Sequence, residues 1–171
     1  VVRRSLRFAI ALALVGGFVL SPAVGRATTV TVGQPPPAFE LRDENGTVYR
    51  MADYAGRPTL VYFTHNACHY CTQVIGFLKR AHEAHADQGL AILTINVMAN
   101  GGELIRRYKE QFNLPFAMLA GKSPSLLRDY EVNYVPILVF IDRRGIVVRI
   151  DHHYILPEEF DASVTQIVTG K

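Results

Sequence analysis

The sequence has no tryptophan and only two cysteines in 171 residues. Those two are Cys68 and Cys71, so no second cysteine pair is present to complete a four-ligand zinc site. No apolar stretch reaches the roughly 20 residues that a helix needs to cross a bilayer. The longest, Phe8 to Leu20, has 13. Beyond the N-terminus no run of Lys or Arg occurs, so the electrostatic footprint of a nucleic-acid or polyanion binder is missing. Internal repeats and low-complexity tracts are also lacking after residue 27. What remains is a length suited to one domain with a single core.

The N-terminus carries much of the basic charge. Arg3, Arg4 and Arg7 precede the apolar run, Pro22 breaks it, and small residues follow through Ala27. A basic start, a short apolar centre and a small-residue exit read as a secretory signal over residues 1–27. An uncleaved anchor on residues 8–20 is the alternative. No cysteine directly follows the run, which excludes a bacterial lipoprotein anchor. Residues 28–171 then form the working domain, periplasmic or otherwise extracytoplasmic. Losing the leader removes four of 18 basic residues and none of 15 acidic ones, leaving 14 against 15 and a formal charge of −1.

Export sharpens the meaning of the cysteines, because thiols outside the cytosol tend to be oxidised or used. Cys68-His69-Tyr70-Cys71 follows the apolar run Leu60-Val61-Tyr62-Phe63. After it, apolar residues recur at helical spacing: Cys71, Val74, Ile75, Leu78, Ala81. A C-x-x-C pair at a strand-to-helix junction reads as a dithiol that opens and closes as one disulfide. A structural staple is the competing reading, yet closing so short a loop constrains the unfolded chain little.

The rest of the chain alternates strand and helix signals. Phe39 to Arg42 and Thr47 to Tyr49 flank the turn Asp43-Glu44-Asn45-Gly46, which predicts a hairpin. A short turn or helical piece is expected at residues 52–56. Leu60 to Phe63 and Leu90 to Val97 read as buried strands. The cysteine helix runs to about His85, and Asn66 is the expected cap of its N-terminus. Leu104, Ile105, Tyr108 and Phe112 mark an amphipathic helix, Pro115 to Leu119 a short strand, and Ser123-Pro124 a capped helix start. Ile137 to Ile141 and Ile146 to Ile150 flank Asp142-Arg143-Arg144-Gly145 as a hairpin. Pro157 opens a last helix, with Phe160, Val164, Ile167 and Val168 inward. This order predicts an α/β fold, a mixed sheet covered on both faces. It puts the cysteines at the carboxyl end of a strand, where open α/β sheets concentrate chemistry.

Exchange begins with a thiolate attacking a disulfide sulfur. At the start of a helix, free amide hydrogens and the macrodipole favour a negative sulfur, so Cys68 is the expected nucleophile. Cys71, one turn on and more enclosed, is the expected resolving thiol. A protonated His69 beside the nucleophile would stabilise thiolate; the equally open reading is an exposed polar residue. Val135-Pro136 precedes a strand, and from spacing alone it is an ordinary trans proline at a strand start.

These pieces together resemble the thioredoxin superfamily, and within it the exported TlpA/ResA-like branch. The likeness covers about Val32 to Val168. It begins with Val32-Gly33-Gln34-Pro35-Pro36-Pro37-Ala38-Phe39-Glu40-Leu41, like the family's opening G-x-x-x-P-x-F-x-L. It continues through Asn45-Gly46, Tyr54-Ala55-Gly56-Arg57-Pro58 and the cysteine pair. It closes with Tyr130-Glu131-Val132, Val135-Pro136 and Phe140-Ile141-Asp142-Arg143-Arg144-Gly145. The resemblance implies a thioredoxin-like three-layer α/β/α fold with an N-terminal β-hairpin extension. It also implies Pro136 in cis beside the dithiol, with Val135 and Pro136 meeting the substrate. No cofactor is implied beyond the redox-active disulfide of Cys68 and Cys71. The implied partners are exported client proteins carrying disulfides or thiols, and a membrane or periplasmic redox partner. The chain departs from the family at Ala67, where tryptophan is usual, at Ile137, where threonine is common after the proline, and at Gly76, where a kinking proline is usual. Val74 and Tyr62 stand where many relatives place a buried acid, which leaves His65 as a candidate for proton transfer.

Two other chemistries suit this fold. Thiolates and imidazoles suit copper(I), and Cys68, Cys71, His65, His69, His152 and His153 could supply them. However, His152 and His153 would alternate faces if they lay in a strand. Peroxidase chemistry would need an activated cysteine with a nearby threonine and arginine; Thr64 is near, but no arginine is suitably placed.

Overall fold

The structure, a computed structural model, describes residues 29–171. The leader expected over residues 1–27 lies outside the described residues. No helix among the described residues is long and apolar enough to cross a membrane.

Strands β1 (Glu40–Arg42) and β2 (Val48–Arg50) form the expected antiparallel hairpin. Its turn is set by Asp43, whose Oδ1 accepts the amides of Asn45 at 2.9 Å and Thr47 at 2.8 Å. Gly46 takes a φ of +82° there, a conformation that costs glycine little. A 3-10 turn over Met51–Tyr54 leads into the main sheet.

That sheet runs β5-β4-β3-β6-β7. Strands β3 (Thr59–Thr64), β4 (Ala91–Asn96) and β5 (Ala117–Ala120) are parallel. Strand β6 (Ile137–Ile141) runs antiparallel to β3, and β7 (Val147–Asp151) antiparallel to β6. Every residue of β3, β4 and β6 is buried, which explains their continuous apolar runs. The two-residue period still sorts the side chains. Leu60, Tyr62, Leu138 and Phe140 face one core; Val61, Phe63, Ile137, Val139 and Ile141 face the other.

Helices α1 (His69–His85), α2 (Gly102–Phe112) and α4 (Pro157–Thr169) contribute to the first core. Helix α3 (Pro124–Asp129) and the N-terminal hairpin contribute to the second. Helix α1 carries Gly76 mid-way, at a cost of roughly 1 kcal/mol. It also buries Cys71, Val74, Ile75, Phe77, Leu78 and Ala81. Large side chains of this kind contribute about 1.5–3 kcal/mol each when fully enclosed, so packing outweighs the glycine. A turn in the segment before β1 meets the edge strand β7 at Val147. Gly33 donates to the Val147 carbonyl at 2.8 Å, and Val147 donates to Gln34 at 3.0 Å. Those two bonds occupy the backbone of Val147 at the start of an edge strand, where unpaired groups can template aggregation.

Three local expectations change. Ser123 stands at the start of α3, but its hydroxyl pairs with Ser125 and makes no cap bond. Strand β5 begins at Ala117, because Leu114 is still tied to the end of α2 through the Lys109 carbonyl. Strand β7 ends at Asp151, so His152 and His153 lie in the loop before α4 and the alternating-face argument does not apply to them.

Candidate redox site

At the end of β3 the chain leaves the sheet through His65, Asn66 and Ala67 and enters α1. The loop is tied from both sides. His65 Nδ1 accepts the Ala67 amide at 3.0 Å, and the Cys68 amide donates to the His65 carbonyl at 3.3 Å. Asn66 Oδ1 accepts from Asn96 Nδ2 at 2.9 Å, while Asn96 Oδ1 accepts the Met98 amide at 3.1 Å. Asn66 therefore does not cap α1. Asn96 is fully buried at the end of β4, and a buried amide must be satisfied, so it draws the Asn66 side chain toward the neighbouring strand.

The cap is Cys68 itself. Its Sγ accepts the Cys71 amide at 3.1 Å, placing sulfur where a helix N-terminus favours negative charge. Cys68 and Cys71 are joined in a disulfide. Cys71 has no exposed surface, whereas Cys68 is half-buried. The difference follows from the helix geometry: Cys71 lies on the stripe that faces Tyr62 and the core, and Cys68 sits at the lip.

Val135 and Pro136 close the other side. Their peptide bond is cis. The Val135 carbonyl oxygen lies 3.7 Å from Cys68 Sγ. In the oxidised state that sulfur has no hydrogen to donate, so this is a contact and not a hydrogen bond. Pro136 is buried and begins the approach to β6, which pairs directly with β3. Thus a turn 67 residues from Cys68 in sequence is brought to its sulfur by one strand pairing.

Beneath Cys71 lies a polar cluster that the sequence reading missed. The fully buried Tyr62 donates its hydroxyl to the Cys71 carbonyl at 3.0 Å. Thr64, next on the same face of β3, shares a hydrogen bond of 3.0 Å with the Tyr108 hydroxyl from α2. Burial pushes the Tyr62 phenol far above the usual tyrosine range, and the Thr64 hydroxyl offsets this only in part. The available signal was the presence of Tyr and Thr in an otherwise apolar strand, since buried hydroxyls require partners.

The histidines are dispersed. His65 is held in its own loop by the Ala67 amide, and His69 is exposed with its ring edge toward Tyr70. Among the described residues neither imidazole hydrogen-bonds to a sulfur. His153 is exposed and faces the Tyr134 hydroxyl at 3.5 Å, while His152 is half-buried. No group of three or more His, Cys, Asp or Glu among the described residues is gathered in a way that could hold a metal. Thr64 is committed to Tyr108 below the disulfide. Around the dithiol the surface is aromatic: Tyr70, Tyr134 and Tyr154 are exposed, with Tyr70 and Tyr154 rings 6.0 Å apart.

A parallel β-α-β unit with a helix-capping C-x-x-C at its first strand-to-helix junction is the arrangement of a thioredoxin-like thiol–disulfide oxidoreductase. The chain belongs to the AhpC/TSA family, whose model matches residues 32–150. It is similar to the thiol-disulfide oxidoreductase ResA of Geobacillus kaustophilus, with 28% identity over 152 residues, covering 87% of this chain and 85% of that one. It is also similar to peroxiredoxin Bcp of Bacillus subtilis, 29% identical over 105 residues, covering 61% of this chain and 66% of the other. Among solved structures, a thiol:disulfide interchange protein of the thioredoxin family from Chlorobium tepidum superposes with a TM-score of 0.69 at 19% identity, covering 81% of this chain and 98% of that one.

Proposed function

We propose that this protein works outside the cytoplasm, exchanging disulfides with client proteins through Cys68 and Cys71. The observation that carries the reading is the unequal setting of the two sulfurs. Cys68 is at the lip beside the Val135 carbonyl, and Cys71 is enclosed behind it. In the reducing direction, the Cys68 thiolate attacks a client sulfur. A Cys68–client disulfide forms and the second client sulfur leaves as a thiolate. Cys71 then gives up its proton, and its thiolate attacks Cys68 Sγ. The intramolecular disulfide forms, the client's remaining sulfur departs and takes a proton, and two electrons have passed from the protein to the client. The reverse sequence oxidises a client dithiol by the same steps. A membrane or periplasmic redox partner returns the dithiol to its starting state.

The Val135 turn supports client docking, since an extended client segment laid against it would bring its sulfur to Cys68. The exposed Tyr70 and Tyr134 offer aromatic surface for the flanking client side chains. Export is supported by Arg3, Arg4 and Arg7 ahead of the apolar run to Leu20, with residues 28–171 as the working domain.

The test is capture of the intermediate. Cys71→Ser, offered a disulfide-bonded client such as insulin, should accumulate a mixed disulfide on Cys68, resolved by mass spectrometry of the tryptic peptide. The Cys68→Ser protein should capture nothing. Absence of any Cys68 adduct, or equal adducts on Cys71 in the Cys68→Ser protein, would overturn the proposal.

A further inference from the structure

The Tyr62 hydroxyl is costly to keep where it is. A phenylalanine would fill the same space in the core without a polar atom to satisfy, and a buried hydroxyl is unfavourable unless bonded. Nor does the acceptor depend on it. The Cys71 carbonyl lies in the first turn of α1, where the ordinary ladder already supplies the Ile75 amide. Yet Tyr62 spends its hydrogen on that carbonyl, at 3.0 Å. The bond joins β3 directly to the residue whose sulfur must act second.

We propose that Tyr62 is a positioning residue for the resolving step, with its phenol holding the Cys71 backbone so that the Cys71 sulfur meets Cys68 within the mixed disulfide. This rests on the exchange reading above. While the Cys68–Cys71 bond exists, it holds the two sulfurs together itself. Once a client sulfur occupies Cys68, that link is gone. Cys71 is then kept in place only by its helix, its packing and Tyr62. The step is the one already written: the Cys71 thiolate attacks Cys68 Sγ, the Cys68–client bond breaks, and the client sulfur leaves with the electron pair and takes a proton. Tyr62 neither gives nor takes a proton; burial keeps its phenol neutral. The first attack depends less on this anchor, because the Cys68 backbone is set by its own loop through the His65 ring and carbonyl.

A single-turnover experiment separates the two steps. The reduced full chain is mixed with 5,5′-dithiobis(2-nitrobenzoate). Attack by Cys68 releases one coloured thiolate and leaves a mixed disulfide; resolution by Cys71 releases the second. In Tyr62→Phe the second phase should slow about tenfold, the scale of a small misplacement of reacting groups, while the first stays within about twofold. Tyr108→Phe removes a buried hydroxyl from the same cluster but leaves the Tyr62–Cys71 bond, and should keep both phases within about twofold of the parent. The inference is overturned if Tyr62→Phe leaves the second phase unchanged, slows both phases alike, or is matched by Tyr108→Phe. Absence of any first phase in the unmutated protein would instead sink the exchange reading. Should Tyr62→Phe not fold, hydrogen exchange of the Ile75 amide in the unmutated protein decides. Protection within about tenfold between oxidised and reduced forms supports the anchor, and a larger loss on reduction shows that the disulfide alone held the turn.

Discussion

Asn96 is the residue on which the loop before Cys68 depends, and a double-mutant cycle with Asn66 tests this quantitatively. The Asn96 side chain is fully buried and makes two bonds, to Asn66 Oδ1 and from the Met98 amide. Asn66 is exposed. Asn66→Ala therefore loses one net hydrogen bond and also strands the buried Asn96 amide, a loss of about 1–2 kcal/mol. Asn96→Ala loses both bonds and leaves a small void, but the exposed partners regain water; about 2–3 kcal/mol is expected. In the double mutant no stranded amide remains, so its cost should match that of Asn96→Ala alone. The resulting coupling is about 1–2 kcal/mol, whereas independent sites would add within about 0.5 kcal/mol. Urea unfolding of the four proteins, all oxidised, measures it. For a domain of this size the Asn96→Ala loss corresponds to a fall in Tm of roughly 5–10 °C. If the two single losses simply sum in the double mutant, the loop is held by something other than this bond and the reasoning fails.

Two further outcomes follow from the buried polar anchors. Burial alone would raise the Asp142 carboxyl, but the amides of Ile146 and Arg144 and the Arg144 guanidinium outweigh it and hold its pKa below the usual carboxylate value. That stability is present above the unfolded pKa of about 3.9 and is lost as pH falls through the lower folded value. Asp142→Asn should thus be less stable than the parent at pH 7, with the gap in urea midpoint closing toward about pH 2; a gap that persists there would show that charge is not the cause. Tyr130 is also fully buried and donates to the Pro37 carbonyl at 2.7 Å; Tyr130→Phe should cost about 1–3 kcal/mol by leaving that carbonyl unpaired, and calorimetry showing no loss would mean that water takes the place of the phenol.

Much of the fold was legible because its signals are local. The buried strands of the main sheet announced themselves as apolar runs, and Asp43-Glu44-Asn45-Gly46 and Asp142-Arg143-Arg144-Gly145 carry the turn chemistry of their hairpins. The helix after the cysteines could be read from its 3.6-residue spacing. The C-x-x-C was legible because two cysteines at one spacing, after a strand and before a helix, leave few alternatives. What stayed hidden depends on partners distant in sequence. Asn66 looks like a cap until Asn96, 30 residues on, is known to be its neighbour. His65 looks like an unheld loop imidazole until its Nδ1 is found accepting the Ala67 amide, which fixes the ring and leaves Nε2 as its one other polar atom.

The least legible part is the division of labour inside the site. Spacing assigned Cys68 and Cys71 to attack and resolution but gave no reason for the second sulfur to stay aligned once the first is occupied. The register of β3 supplies a candidate reason. Because side chains alternate along a strand, Tyr62 and Thr64 must both point beneath α1 if Val61 and Phe63 are to fill the opposite core. A one-residue slip would turn the phenol away from Cys71 and expose the second core to polar atoms. The packing that builds the sheet therefore also aims Tyr62 at the Cys71 carbonyl, so the proposed alignment of the reacting pair follows from the same apolar pattern that folds the domain.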